Sequence, residues 1–183
     1  MHPRLVELFV YVDQEHADLT GTVQKVPAPL LPESPGPERW SVAQVLEHLV
    51  LTERQIARLL ARLFSDAVAK HLPAETDTRP ILAAIDTRRI TDRSIRSVAI
   101  ESLRPPGELT AAESLEALAA ARVALEESAR IGSGLALTQV VYPHPTLGPL
   151  NGYEWLAFVG AHMARHHEQI RETVRLLSRM PYQ

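Results

Sequence analysis

Four stretches of this 183-residue chain carry the spacing of an α-helix, and together they set what it can become. In the first, from about Pro3 to Thr22, Leu5, Leu8, Phe9, Val12, Leu19 and Val23 recur mostly three and four residues apart, which puts them on one side of a helix. The second begins after Trp40 and has Val42, Val45, Leu46, Leu49, Ile56, Leu60, Leu63 and Phe64 as its stripe. The third, to about Ile131, is alanine-rich and strongly helix-favouring. In the fourth the stripe is Leu156, Val159, Met163, Ile170, Val174 and Leu177.

Local chemistry marks the starts and stops. Ser41 with Gln44, Thr110 with Glu113 and Asn151 with Glu154 each have the spacing of a capping box, in which two side chains satisfy the first amides of a helix. Trp40 can staple onto Val45. Between the first two helices, "VPAPLLPESPGPERW" holds five prolines and excludes a helix. "GSG" at 132–134 stops the third, and the fourth is expected to run to about Met180, closed by Pro181.

Residues 67–109 read as an irregular insertion, with short helices or turns in "ILAAIDTRRITDRSIRSVAI" and a break at "SLRPPGE". Residues 135–150 read as loop or extended chain. The expectation is an all-α fold, a four-helix bundle with long crossover connections, made by one domain spanning 1–183.

Composition removes several classes of function. With 19 basic and 22 acidic side chains the net charge is −3, so no broad positive field exists for nucleic acid or an anionic membrane. No stretch approaches the roughly 20 apolar residues that span a bilayer, and the first residues lack a signal-peptide core. A cytoplasmic location is the expectation. The absence of cysteine excludes disulfides, thiolate ligands and a cysteine nucleophile, so any metal must be held by nitrogen and oxygen.

Of the eight histidines, three fall in "HMARHHEQI" at 162–170. His162 and His166 stand four residues apart and project about 40° from one another, close enough to converge on one ion. His167 lies across the stripe and reads as a packed residue. His48, on the core-side flank of the second helix, is the natural third imidazole. His16 reads as a core histidine, His144 as packed beside a turn, and His2 and His71 as terminal and loop residues. Three histidines without a fourth protein ligand describe an open site, which leans towards catalysis rather than a closed structural centre.

"WSVAQVLEHLVLTE" at 40–53 resembles the first signature of the DinB/YfiT-like superfamily, in which a helix carries one metal-binding histidine. "HPTLGPLNGYEWLAFVGAHMARHHEQI" at 144–170 resembles the second, a Pro-x-x-Gly turn leading into a helix with H-x-x-x-H and a glutamine three residues on. The resemblance implies a four-helix bundle, metal ligands His48, His162 and His166, and a homodimer. It also implies relatives that are transferases or isomerases using low-molecular-weight thiols such as mycothiol or bacillithiol, or metal-dependent hydrolases. The metal expected is divalent, zinc or nickel before others, with a small-molecule substrate and a low-molecular-weight thiol as a candidate cosubstrate. Such an ion either acidifies a water or holds a thiol as thiolate, and the second role suits a chain with no cysteine of its own.

Three further residues are candidates for the chemistry. Glu53 falls inside an apolar stripe, where a carboxylate must be paired or functional. It is a candidate base or an acceptor that orients a ligand histidine, and an ion pair with an arginine of a facing helix is the competing reading. Arg165 is a candidate for an anionic substrate group, and Gln169 for a hydrogen bond near the metal. The alternative to a metal-dependent enzyme is a helical bundle that binds a small molecule or partner, its metal structural or absent. A buried hydrogen-bonded histidine cluster is the third reading.

Overall fold

A computed structural model describes residues 1–95 and 99–179. The four periodic stretches form α1 (Pro3–Val23), α2 (Val42–Ala69), α4 (Ala111–Ile131) and α5 (Gly152–Leu177), with a single-turn α3 (Arg88–Thr91) between α2 and α4. All three capping boxes form: the side chains of Ser41, Thr110 and Asn151 each accept the amide three residues on, and Gln44, Glu113 and Glu154 return the bond. The α1 stripe is buried as read. Met180 and Pro181, where the last helix was expected to end, lie outside the described residues, as does Arg96 of the insertion.

Contacts between helices fix their directions. Arg4 lies over Tyr153, Tyr11 against Gly160, and Thr22 bonds His167, so α1 and α5 run parallel. Glu47 binds the Leu109 amide, Ser128 donates to the Ala57 carbonyl and Phe64 packs on Gly132, so α2 and α4 are parallel as well. Parallel neighbours that follow one another in the chain need a return path. The 28 residues of α2 rise about 42 Å at 1.5 Å each, and residues 70–110 cover that distance. The long connection is therefore a geometric requirement of this topology.

Residues 135–150, expected as loop or extended chain, resolve into a turn of 3-10 helix (Leu137–Gln139) and a hairpin of β1 (Val141–His144) with β2 (Gly148–Asn151). It is antiparallel, with Tyr142 opposite Leu150 and His144 opposite Gly148. The Pro-x-x-Gly turn is its tip, and Gly148 takes φ +84°, a region that favours glycine.

The core divides into two apolar clusters. One gathers Leu5, Leu8, Val12, Ile56, Leu60, Phe64, Leu125 and Leu156; the other Leu19, Val45, Leu46, Leu49, Leu118, Met163 and Ile170. Along each helix the interval between them holds a polar group: His16 on α1, Thr52 and Glu53 on α2, Arg122 on α4 and His162 on α5. A polar layer thus crosses the middle of an otherwise apolar bundle. No helix among the described residues is long and apolar enough to cross a membrane.

Candidate metal centre

His48, His162 and His166 meet between α2 and α5, each offering one ring nitrogen within 4.8 Å of the others. The nearest approaches are between Nε2 atoms: 3.4 Å from His48 to His162 and 3.1 Å from His166 to His162. The i, i+4 spacing on α5 brings two rings together edge to face, 4.4 Å apart at 73°, and the antiparallel approach of α2 brings the third. His48 and His166 are buried; His162 keeps part of its surface accessible.

Two of the rings are oriented by acceptors on their far side. The Leu103 carbonyl lies 2.7 Å from His48 Nδ1, and Gln169 Oε1 lies 2.7 Å from His166 Nδ1. A carbonyl oxygen can only accept, so both rings carry the proton on Nδ1 and turn a bare Nε2 inward. Burial pushes the pKa of all three below the usual histidine value, that of His166 to about 3, and charge on a neighbouring ring acts against protonation of His162 and His166. The trio is held neutral, the form that ligates metal.

The donor set fits a divalent ion. With His48 and His166 both presenting lone pairs, a proton on His162 Nε2 can satisfy one of them and not both, whereas a cation satisfies all three. Tetrahedral nitrogen ligands at about 2.05 Å stand about 3.3 Å apart, and the two close separations here bracket that value. Three imidazoles without thiolate or carboxylate suit zinc, nickel or a similar first-row ion.

Aromatic rings enclose the cluster. Phe158 stacks on His162 at 5.2 Å and 20°, and Trp40 lies 5.0 Å from His48. His144, on β1, packs on Phe158 at 4.7 Å, and its Nδ1 accepts the Thr146 and Leu147 amides. His167 bonds Thr22 Oγ1 at 2.6 Å and takes no part in the cluster.

The other sequence candidates occupy distinct positions. Gln169 is the partner of His166. Glu53 is 3% exposed, has no hydrogen-bond partner for either oxygen among the described residues, and lines a cavity of about 10 Å³ with Thr52, His162 and Met163. Burial raises its pKa from 4.5 to about 8, against the pull of Arg122. Arg122 of α4 is thus its cationic neighbour, but without a hydrogen bond. The guanidinium of Arg165 is directed at main-chain carbonyls, 3.1 Å from Ile90, 2.6 Å from Asp92 and 2.8 Å from Ile95. It clasps α3 and the following turn onto α5 beside the histidines.

Two contributors escaped sequence reasoning. Leu103 acts through its backbone, which no side-chain pattern announces. Glu47, beside His48, accepts the amides of Gly107, Glu108 and Leu109 and so fixes the chain leading into α4. The signal available for it was a carboxylate one position from His48, facing a segment rich in proline and glycine.

Fold and site together define a four-helix bundle with a three-histidine cluster between two of its helices. Residues 11–170 match the DinB superfamily, and the chain belongs to it. It is similar to the uncharacterized protein YuaE of Bacillus subtilis (strain 168), 26% identical over 157 residues that cover 81% of this chain and 86% of YuaE. Its fold is similar to that of TT2238, a four-helix bundle protein solved by crystallography, with a TM-score of 0.60 and 20% identity over 91% of this chain and 97% of that one.

Proposed function

We propose that the protein is a metal-dependent enzyme acting on a small molecule, its ion held by His48, His162 and His166. The observation that carries this reading is the convergence of three neutral imidazoles, two of them aimed by acceptors on Leu103 and Gln169. With no fourth protein ligand in the cluster among the described residues, one coordination position remains for a substrate. The reaction class proposed is transfer of a low-molecular-weight thiol, with hydrolysis second. When bound, zinc or nickel supplies Lewis acidity and lowers the pKa of a ligated thiol or water.

The chain's own residues would do the rest. Leu103 and Gln169 hold the ligand tautomers, and Phe158 and Trp40 keep water from the ring faces. Glu53, protonated near neutral pH and beside His162, would carry a proton to or from the site through the small cavity they share. The absence of cysteine supports thiol chemistry in which the sulfur arrives with the cosubstrate. A cytoplasmic homodimer is part of the proposal: Val6 and Val10, 46% and 64% exposed on α1, offer an apolar strip to a second copy.

The test is elemental analysis of untagged protein, as wild type and as His48→Ala and His162→Ala. About one zinc or nickel per chain, lost in both variants, is expected. Wild-type protein that stays metal-free after incubation with either ion would remove the catalytic reading.

A further inference from the structure

We propose that the groove between α1 and α4 is a second binding site, one that takes a small uncharged molecule carrying a hydroxyl group on an apolar body. Its lining shares no residue with the histidine cluster, and it does not depend on the metal. The groove has a volume of about 430 Å³, within the range of about 300–1,000 Å³ typical of small-ligand sites. Ala17, Gly21 and Ala119 keep it open because their side chains are too small to fill it, and His16, Thr20 and Arg122 supply its polar wall.

Gly21 is informative because a helix interior ordinarily disfavours glycine. A Cβ added there would meet nothing within 4 Å, so no neighbour demands its absence. The space it leaves belongs to the groove.

The polar wall is incomplete. His16 Nε2, Thr20 Oγ1 and Arg122 Nη1 are buried with no hydrogen-bond partner among the described residues. Buried polar atoms are as a rule paired, and three at one wall point to a partner that enters from the groove as the Thr20 and His16 side chains turn towards it. Charge selects the kind of partner. Arg122 Nε already binds Asp13 Oδ1 at 2.6 Å, and Nη1 lies 3.6 Å from Glu126 Oε2, so the guanidinium has no charge left for an anion. Asp13 is equally committed to Arg122. His16, half-buried and beside Arg122, is held towards its neutral form. A hydroxyl both donates and accepts, which matches one imidazole nitrogen, one hydroxyl and one guanidinium N–H. The walls formed by Ala17, Leu115 and Ala119 suit a short apolar body.

The test is an NMR titration of the ¹⁵N-labelled full chain with benzyl alcohol, alongside benzoate and benzylamine. Saturable shifts at the amides of Ala17, Thr20, Gly21 and Ala119 are expected, with the charged probes at least about tenfold weaker. Gly21→Leu should abolish the shifts by filling a space that has room for it. Thr20→Val, which keeps the shape and removes the hydroxyl, should weaken binding about fivefold. Absence of saturable shifts, unchanged affinity in Gly21→Leu or in Thr20→Val, or benzoate binding as tightly as the alcohol would each overturn the proposal. The same shifts in His162→Ala protein are expected, since the groove is separate from the metal centre; their loss there would overturn that separation.

Discussion

Gln169 Oε1 accepts the Nδ1–H of His166 at 2.7 Å, across one turn of α5, and so turns the Nε2 lone pair of that ring towards His48 and His162. An acceptor behind a ligand histidine fixes both ring angle and tautomer, and its loss typically lowers metal affinity 10–100-fold. Gln169→Leu is expected to weaken zinc binding within that range, measured by competition with a chromophoric chelator. Gln169→Glu, which still accepts, should retain most of the affinity. Equal affinity in all three proteins would place Gln169 outside the metal centre.

The parts of this arrangement that were legible in the sequence are those carried by side-chain periodicity and capping chemistry. The stripe from Leu5 to Val23 and the pairs Ser41–Gln44, Thr110–Glu113 and Asn151–Glu154 are local, so their spacing alone determines what they do. His48, His162 and His166 were legible because a helix converts spacing into direction. The rest depends on backbone atoms and distant contacts. The four-residue strands of the hairpin are too short to show a period of two. The Leu103 carbonyl leaves no trace in residue identity, and the acceptors of Arg165 lie in a segment whose path the sequence did not reveal. Arg165 looked like a substrate residue because a guanidinium on the helix of His162 and His166 is equally suited to an anion and to three carbonyls.

Glu53 gives the fold a pH dependence of unusual sign. Its carboxyl is raised from 4.5 to about 8 by burial. Between those values the unfolded chain has released its proton while the folded chain keeps it, so this group's contribution to stability falls as pH rises through that window. Glu53→Gln removes the dependence and keeps the shape. Urea denaturation at pH 5, 6.5 and 8 should therefore show the variant gaining on wild type by roughly 3 kcal/mol over the series. A constant difference would mean that Glu53 is paired in solution.

Arg165 holds three carbonyls of the connection between α2 and α4, and hydrogen bonds from a charged donor are among the stronger ones. Arg165→Leu should loosen α3 and its surroundings without unfolding the bundle. Trypsin cleavage at Arg88, Arg89 and Arg93, followed by mass spectrometry, is expected to speed up by about tenfold or more, which corresponds to about 1.4 kcal/mol of local stability. Arg165→Lys should fall between the two, because an ammonium cannot reach three carbonyls in the fixed fork of a guanidinium. If cleavage is unchanged, Glu172, which pairs with Arg93, is the stronger clasp.

Gly160 and Gly21 provide opposite outcomes for one substitution. A Cβ at Gly160 would lie 2.4 Å and 2.7 Å from ring carbons of Tyr11, where α5 packs against α1. Alanine there must push the Tyr11 ring aside or separate the two helices. Overpacking of this kind costs about 1–3 kcal/mol, more than the gain from replacing a helical glycine. At Gly21 nothing stands within 4 Å of the added carbon, so alanine brings the helix-propensity gain alone, about 0.4–1 kcal/mol. Urea midpoints for Gly160→Ala and Gly21→Ala should therefore move in opposite directions from wild type. A Gly160→Ala protein as stable as wild type would mean that the Tyr11 ring is free to rotate away and that the α1–α5 seam is looser than its geometry indicates.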